Sequence, residues 1–187
     1  MADSELAADR LILRPPAPGD LPWALEQMNT LAVMRHLAGV RSPELVAEKL
    51  ADDVAAFSSG GHQHWIVWLG DGVTRVGRVG LFHVRSAAAP PELQGQREIG
   101  WTFAEGFWGQ GYATEAARAV IAYAFGTLRL PVLYSQTSDS NQGSTRMMQR
   151  LGFTRRSGLD YVDPDYPAAD NPTTVWSMDA PEGFGHD

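Results

Sequence analysis

Apolar positions along this chain follow two periods, and those periods lay out its elements. Val46, Leu50, Val54 and Phe57 recur at helical spacing. They follow Ser42-Pro43-Glu44, which supplies a cap, a proline at the first helical position and an acid in the first turn. Ser58-Ser59-Gly60-Gly61 ends that helix. Ala113, Ala116, Ala117, Val120, Ile121 and Ala124 form a second helical stripe. Met147, Met148 and Leu151 form a third, opened by Asn141 as N-cap and closed by Gly152. A further helix is expected from Asp20 as cap, with Pro22 in its first turn.

Strands are expected where residues alternate or run together as apolar blocks. These are Arg10–Arg14, His64–Leu69, Val76–Val84, Glu98–Phe103, Val132–Thr137, a stretch beginning at Phe153-Thr154, and Thr173–Met178. His64–Leu69 is apolar on both faces, which places it centrally. Gly77 and Gly80 leave room for close backbone approach. Residues 86–96 read as an exposed, mobile loop, the Asp-rich run 160–170 as a solvated one, and 181–187 as a disordered tail. Strands early, strand–helix–strand in the middle and strands last predict one domain over 1–187. Its class is α+β in three layers: a mixed, mostly antiparallel sheet with helices on both faces.

One stretch stands out for chemistry. Glu98-Ile99-Gly100-Trp101-Thr102-Phe103 hands over to a helix through Phe107-Trp108-Gly109-Gln110-Gly111-Tyr112-Ala113-Thr114. A helix N-terminus presents free N–H groups and a favourable dipole to an anion. Gly109 and Gly111 remove side chains that would hold a phosphate off that backbone. A turn that uses glycine only for its conformation is the plain alternative. No P-loop pattern is present. A dinucleotide fingerprint could open at Gly109-Gln110-Gly111, but Thr114 stands where its third Gly or Ala belongs.

Composition narrows the reading. The formal net charge is −7, which argues against nucleic acid as a partner. There is no cysteine, so no disulfide scaffold, Cys-ligated zinc or Cys nucleophile is available. A reducing cytoplasm is the simplest compartment. No signal peptide or membrane-spanning run is visible. His62 and His64 share a strand face but lack further ligands nearby, so no metal site is expected.

The window Trp108 to Ala113 resembles the pyrophosphate loop of the GNAT superfamily of N-acetyltransferases, Gln/Arg-x-x-Gly-x-Gly/Ala. Gly111 and Ala113 match, and Trp108 stands in the Gln/Arg place. The run Trp108 to Ala116 is similar to the version in the RimJ/RimL-type branch. So are Asn141-Gln142-Gly143-Ser144 with Leu151-Gly152-Phe153, and Arg10-Leu11-Ile12-Leu13-Arg14-Pro15, all in the family's order.

The resemblance implies acetyl-CoA as cosubstrate, with its pyrophosphate on the backbone of Trp108, Gly109, Gln110, Gly111, Tyr112, Ala113 and Thr114. It implies that the strands at Glu98–Phe103 and Val132–Thr137 run parallel and splay, with pantetheine between them beside Trp101, Thr102 and Phe103. Asn141 would add a cofactor contact to its capping role, and Ser144 would protonate the leaving thiolate. The acceptor would be a small-molecule amine or a protein N-terminus, attacking directly in a ternary complex, and a homodimer is left open.

Such a reaction needs an amine that loses its proton. An α-amine is about 10–20% neutral at pH 7, a lysine under about 0.1%, so a modest base suffices for the former. Glu98 and Glu105 are the candidates; the resemblance, aligned across the glycine loop, implies Glu105 as the base acting through water, with Glu98 at the position used in other branches. A non-catalytic acyl-CoA-binding or sensing module is the rival reading.

Overall fold

The computed structural model describes residues 5–59, 61 and 64–181. Its strands are β1 (Leu6–Ala7), β2 (Leu11–Arg14), β3 (His64–Leu69), β4 (Arg75–His83), β5 (Arg97–Phe103), β6 (Val132–Ser138), β7 (Thr154–Arg155) and β8 (Thr173–Asp179). The helices are α1 (Leu21–Trp23), α2 (Pro43–Ser58), α3 (Tyr112–Gly126) and α4 (Gln142–Leu151). The expected strands fall within a residue or two of these bounds, and β1 is an addition. The sheet order is β1-β2-β3-β4-β5-β6-β8-β7. The described pairings are antiparallel except β5 with β6, which run parallel. This is the mixed, mostly antiparallel sheet that the element order predicts.

Backbone contacts divide the chain into two compact units. The first comprises residues up to Gly80 and Trp101–Val120, the second Leu81–Gly100 and residues from Ile121 onward. In the chain, β4, β5 and α3 each continue across the division.

In the first unit, β2, β3 and β4 bury Leu11, Leu13, Trp65, Val67, Val76 and Val79 almost completely. Gly77 of β4 packs directly against the end of β5. A Cβ there would stand 2.5 Å from Phe103 Cδ1 and 2.7 Å from the Thr102 carbonyl oxygen. Ser42 caps α2 as expected, its Oγ accepting from the Leu45 N–H at 3.3 Å. Of that helix's predicted stripe only Leu50 is fully buried, while Val46, Val54 and Phe57 are partly covered. Gly60 lies outside the described residues. Asp20 does not cap a following helix. Its buried carboxylate instead accepts from the Ala17 N–H at 2.8 Å and from Arg75 Nε at 2.7 Å. A buried charge is held by a cation in preference to a helix end.

In the second unit, β6 pairs with β8 along its whole length, from Val132↔Asp179 to Ser138↔Thr173. Its registered pairing with β5 is confined to Glu98↔Tyr134 among the described residues. Residues 86–96 are largely exposed, as expected, but are anchored at two points. Ala89 and Leu93 are buried in a cluster with Val84 and Val175, and Gln94 Nε2 donates to the carbonyls of Ser86 and Ala89. Two apolar anchors give this stretch an interior of its own. The run 160–170 is likewise not a solvated acidic loop, since Asp163 and Asp170 are buried and Asp160 is paired with Arg155. Residues 182–187 of the expected tail lie outside the described residues.

Candidate functional site

The first unit carries the glycine loop. β5 ends at Trp101-Thr102-Phe103, a short 3-10 turn follows at Glu105–Phe107, and Trp108 to Gly111 leads into α3. Gly109 has φ +74° and Gly111 +83°, left-handed values that side chains avoid. Among the described residues, and apart from its two chain neighbours, nothing lies within 4 Å of where a Gly109 Cβ would be, so the space there is open. The first helical bond of α3 runs from the Glu115 N–H to the Gly111 carbonyl at 3.1 Å. The N–H groups before it have no partner within the helix. Trp108 is half exposed, yet its Nε1–H donates to the Phe103 carbonyl at 2.7 Å and ties the loop to the strand end. Gln110 Nε2 donates to the Gly106 carbonyl at 3.0 Å. Tyr112 opens α3 with its ring near Phe107, and Ala113 and Thr114 complete the first turn. Glu105 is exposed on the 3-10 turn.

Arg10 completes this arrangement. Its guanidinium donates to Glu115 Oε2 at 2.7 Å and to the Gln110 carbonyl at 3.3 Å, and lies 4.6 Å from the centre of the Tyr112 ring. The sequence places Arg10 in an N-terminal motif but not at the loop. Open space, free N–H groups and an adjacent guanidinium are what a diphosphate requires, so the residues present fit the pyrophosphate of an acyl-CoA.

The second unit carries Glu98, Asn141 and Ser144. Gln136 Nε2 donates to Glu98 Oε2 at 2.6 Å, and the Tyr161 hydroxyl donates to Gln136 Oε1 at 2.7 Å. Burial pushes the Glu98 carboxyl up to about 7, against the hydrogen bond from Gln136, which favours the ionised form. Burial also raises the Tyr161 phenol, which keeps it a donor. Ser135 Oγ donates to the Ile99 carbonyl at 2.9 Å and links β6 to β5. Neither Gln136 nor Tyr161 is expected from the sequence pattern. The one available sign is a glutamine within an otherwise mostly apolar or hydroxylic strand.

Asn141 caps α4, its Oδ1 accepting from the Ser144 N–H at 3.1 Å. Ser144 sits partly covered in the first turn. The loop before the cap is held by buried Asp170, which accepts from Ser140 Oγ at 2.5 Å and Ser138 Oγ at 3.4 Å.

Histidines serve other ends. His64 Nδ1 lies 3.1 Å from Asp53 Oδ1, and burial lowers its pKa, so it stays neutral near pH 7. His62 lies outside the described residues. Among the described residues no group of three or more His, Cys, Asp or Glu could hold a metal ion. Among them, too, no helix is long and apolar enough to cross a membrane.

A family model described as an acetyltransferase (GNAT) domain matches residues 10–154. The uncharacterized protein YkkB of Bacillus subtilis (strain 168) is 34% identical over 78 residues, 41% of this chain and 45% of its own, so this chain spans less than half of that relative. A solved acetyltransferase from Agrobacterium tumefaciens str. C58 is 30% identical with a TM-score of 0.75, covering 95% of both chains. RimL, a ribosomal L7/L12 alpha-N-protein acetyltransferase solved with coenzyme A, shares the fold at a TM-score of 0.73 and 15% identity, over 94% of this chain and 97% of its own.

Proposed function

Because this chain belongs to the GNAT acetyltransferase family, we propose that it transfers an acetyl group from acetyl-CoA to a primary amine by direct attack, with no covalent enzyme intermediate. The residues are read as one acetyltransferase domain of the RimJ/RimL-like branch, working in the cytoplasm. The acceptor is a protein N-terminal α-amine or a small-molecule amine. The motif around Trp108 to Ala116 and the fold shared with RimL support that branch.

Bound acetyl-CoA supplies the thioester, an acyl group already activated for attack. The backbone N–H groups from Gly109 to Thr114, with Arg10 beside them, hold the pyrophosphate. Backbone donors around Trp101, Thr102 and Phe103 stabilise the oxyanion as the carbonyl is attacked. Asn141 steadies α4, and Ser144 returns a proton to the leaving sulfur.

The observation that carries the reading is Glu98. A carboxyl raised to about 7 and held by Gln136 suits a base that takes a proton, directly or through water, at neutral pH. A non-catalytic acyl-CoA sensor has no use for it. Weight therefore moves from Glu105, which is exposed, to Glu98, with Glu105 kept as a second carboxylate near the glycine loop.

The test is a screen of N-terminal peptides and small amines, following free CoA thiol. Thiol release that depends on the amine supports the transferase. Tight acetyl-CoA binding with no amine-dependent release from any acceptor would leave the sensor reading in its place.

A further inference from the structure

Arg78 lies on β4 in register with Ile66 of β3. Its Nε–H is shut off from solvent and has no hydrogen-bond partner. A guanidinium keeps its charge in proteins, so an unmet buried donor on it is costly. The side chain lines a cavity of about 30 Å³, more than the roughly 10–15 Å³ a single water needs. Arg41 and Lys49 line the same cavity, and the nearly buried Met28 and Met34 give it an apolar wall. Arg41 is delivered by a fixed backbone: its N–H donates to Asn29 Oδ1 at 2.9 Å and its carbonyl accepts from Asn29 Nδ2 at 2.8 Å.

Charge around the cavity does not balance. The carboxylate that acts on Arg78 is Asp53, already engaged by His64 Nδ1 at 3.1 Å. Lys49 pairs with the exposed Asp52 at a long 3.8 Å. Among the described residues, the cavity lining thus carries three cations, Arg41, Lys49 and Arg78, and no carboxylate. No residue of the glycine loop lines this cavity, so it is separate from the pyrophosphate site.

We propose that this cavity binds a small oxyanion, a carboxylate or a phosphate group, seated on the Arg78 Nε–H and between the charges of Arg41 and Lys49. A planar guanidinium donor beside a second cation matches the oxygens of either group. The apolar wall accommodates the body of a ligand that carries the group.

The full chain labelled with ¹⁵N reports this directly through the Arg78 Nε–H resonance. It is titrated with sodium acetate or with inorganic phosphate, and chloride holds the ionic strength constant. A saturable shift is expected with a Kd of about 1–10 mM. Saturation by acetate identifies a carboxylate ligand and saturation by phosphate a phosphate one. Arg41→Ala and Lys49→Ala, both away from the core, should each raise that Kd about fivefold, roughly 1 kcal/mol. Their acetyl-CoA affinity by calorimetry should match the wild type, which confirms an intact fold. No shift with either anion up to about 50 mM, or an equal response in both variants, overturns the proposal.

Discussion

Arg10 and Glu115 stand 105 positions apart in sequence and are joined twice: the Arg10 backbone N–H meets Glu115 Oε1 at 2.6 Å, and its Nε meets Oε2 at 2.7 Å. Glu115 sits in the first turn of α3, where the helix dipole also favours an acid. The pair thereby fixes the residue before β2 against the start of α3. Arg10 is about half exposed, so the pair should contribute only about 0–1 kcal/mol to stability. Its effect on acetyl-CoA binding should be larger, because Arg10 also holds the Gln110 carbonyl. Arg10→Ala is expected to raise the acetyl-CoA Kd about fivefold to tenfold by calorimetry. Glu115→Ala in the Arg10→Ala background should add little further, and full additivity would show that the two do not act as a unit.

Gly111 tests the loop itself. Its φ of +83° strains any side chain, and a Cβ would meet Arg10 Nη2 at 3.4 Å. Gly111→Val should raise the acetyl-CoA Kd more than about tenfold, or about 1.4 kcal/mol, in a protein that still folds. Unchanged affinity in a folded variant would reduce the loop to a turn.

Gly77 tests packing against the end of β5, and its readout is stability, not activity. Its missing Cβ would fall on the Phe103 ring and on the Thr102 carbonyl, and the latter is backbone that cannot turn aside. Gly77→Ala should destabilise the fold by about 1–3 kcal/mol or more, read as a lowered denaturant midpoint. A wild-type midpoint would mean that β4 and the end of β5 separate easily.

Glu98 makes two predictions of opposite sense. As a base it must be ionised, so kcat/KM should rise with pH through about 7, and Glu98→Gln should flatten that limb and lower the rate near pH 7 by roughly tenfold to a hundredfold. Gln136→Leu removes the hydrogen bond that favours the carboxylate, so the limb should move to higher pH. Superimposable pH–rate profiles for all three proteins would dismiss Glu98 as the base. For stability, the folded pKa of about 7 lies above the ordinary carboxyl value near 4.3. The folded state then binds more protons between those values. This contribution is full at pH below the unfolded value and is lost as pH rises through about 7. Glu98→Gln should therefore melt higher than the wild type at pH 8, by roughly 2–5 °C, and lose that advantage at pH 5.

The sequence carries the glycine loop, α4 with its Asn141 cap and Gly152 stop, and the expected strands, because each is written in contiguous residues with one period. The side-chain alliances are not written that way. Arg10 and Glu115, or Glu98, Gln136 and Tyr161, are chosen by which strands lie side by side, and no local spacing encodes that. Asp20 looks like a cap until Arg75, 55 residues later, claims its carboxylate. Residues 86–96 look polar and long, but Ala89 and Leu93 are enough to fold the stretch onto Val84 and Val175. The choice between Glu98 and Glu105 turns on burial, which two acids of the same type do not reveal in sequence.

The Asp-rich segment is framed at both ends. Asp160 holds Arg155 and the Val175 N–H, while Asp170 holds the serines before α4. Just beyond Asp170, Asn171 Nδ2 donates back to the carbonyls of Asp163, Tyr166 and Pro167. The segment therefore brings its own scaffolding, and it can be inherited or engineered as one cassette. A chimera that exchanges 160–171 whole keeps the internal staple together with the residues it was built for. One that exchanges half of it asks Asn171 to bind a backbone path belonging to another protein, and the serines at the mouth of α4 lose their anchor with it.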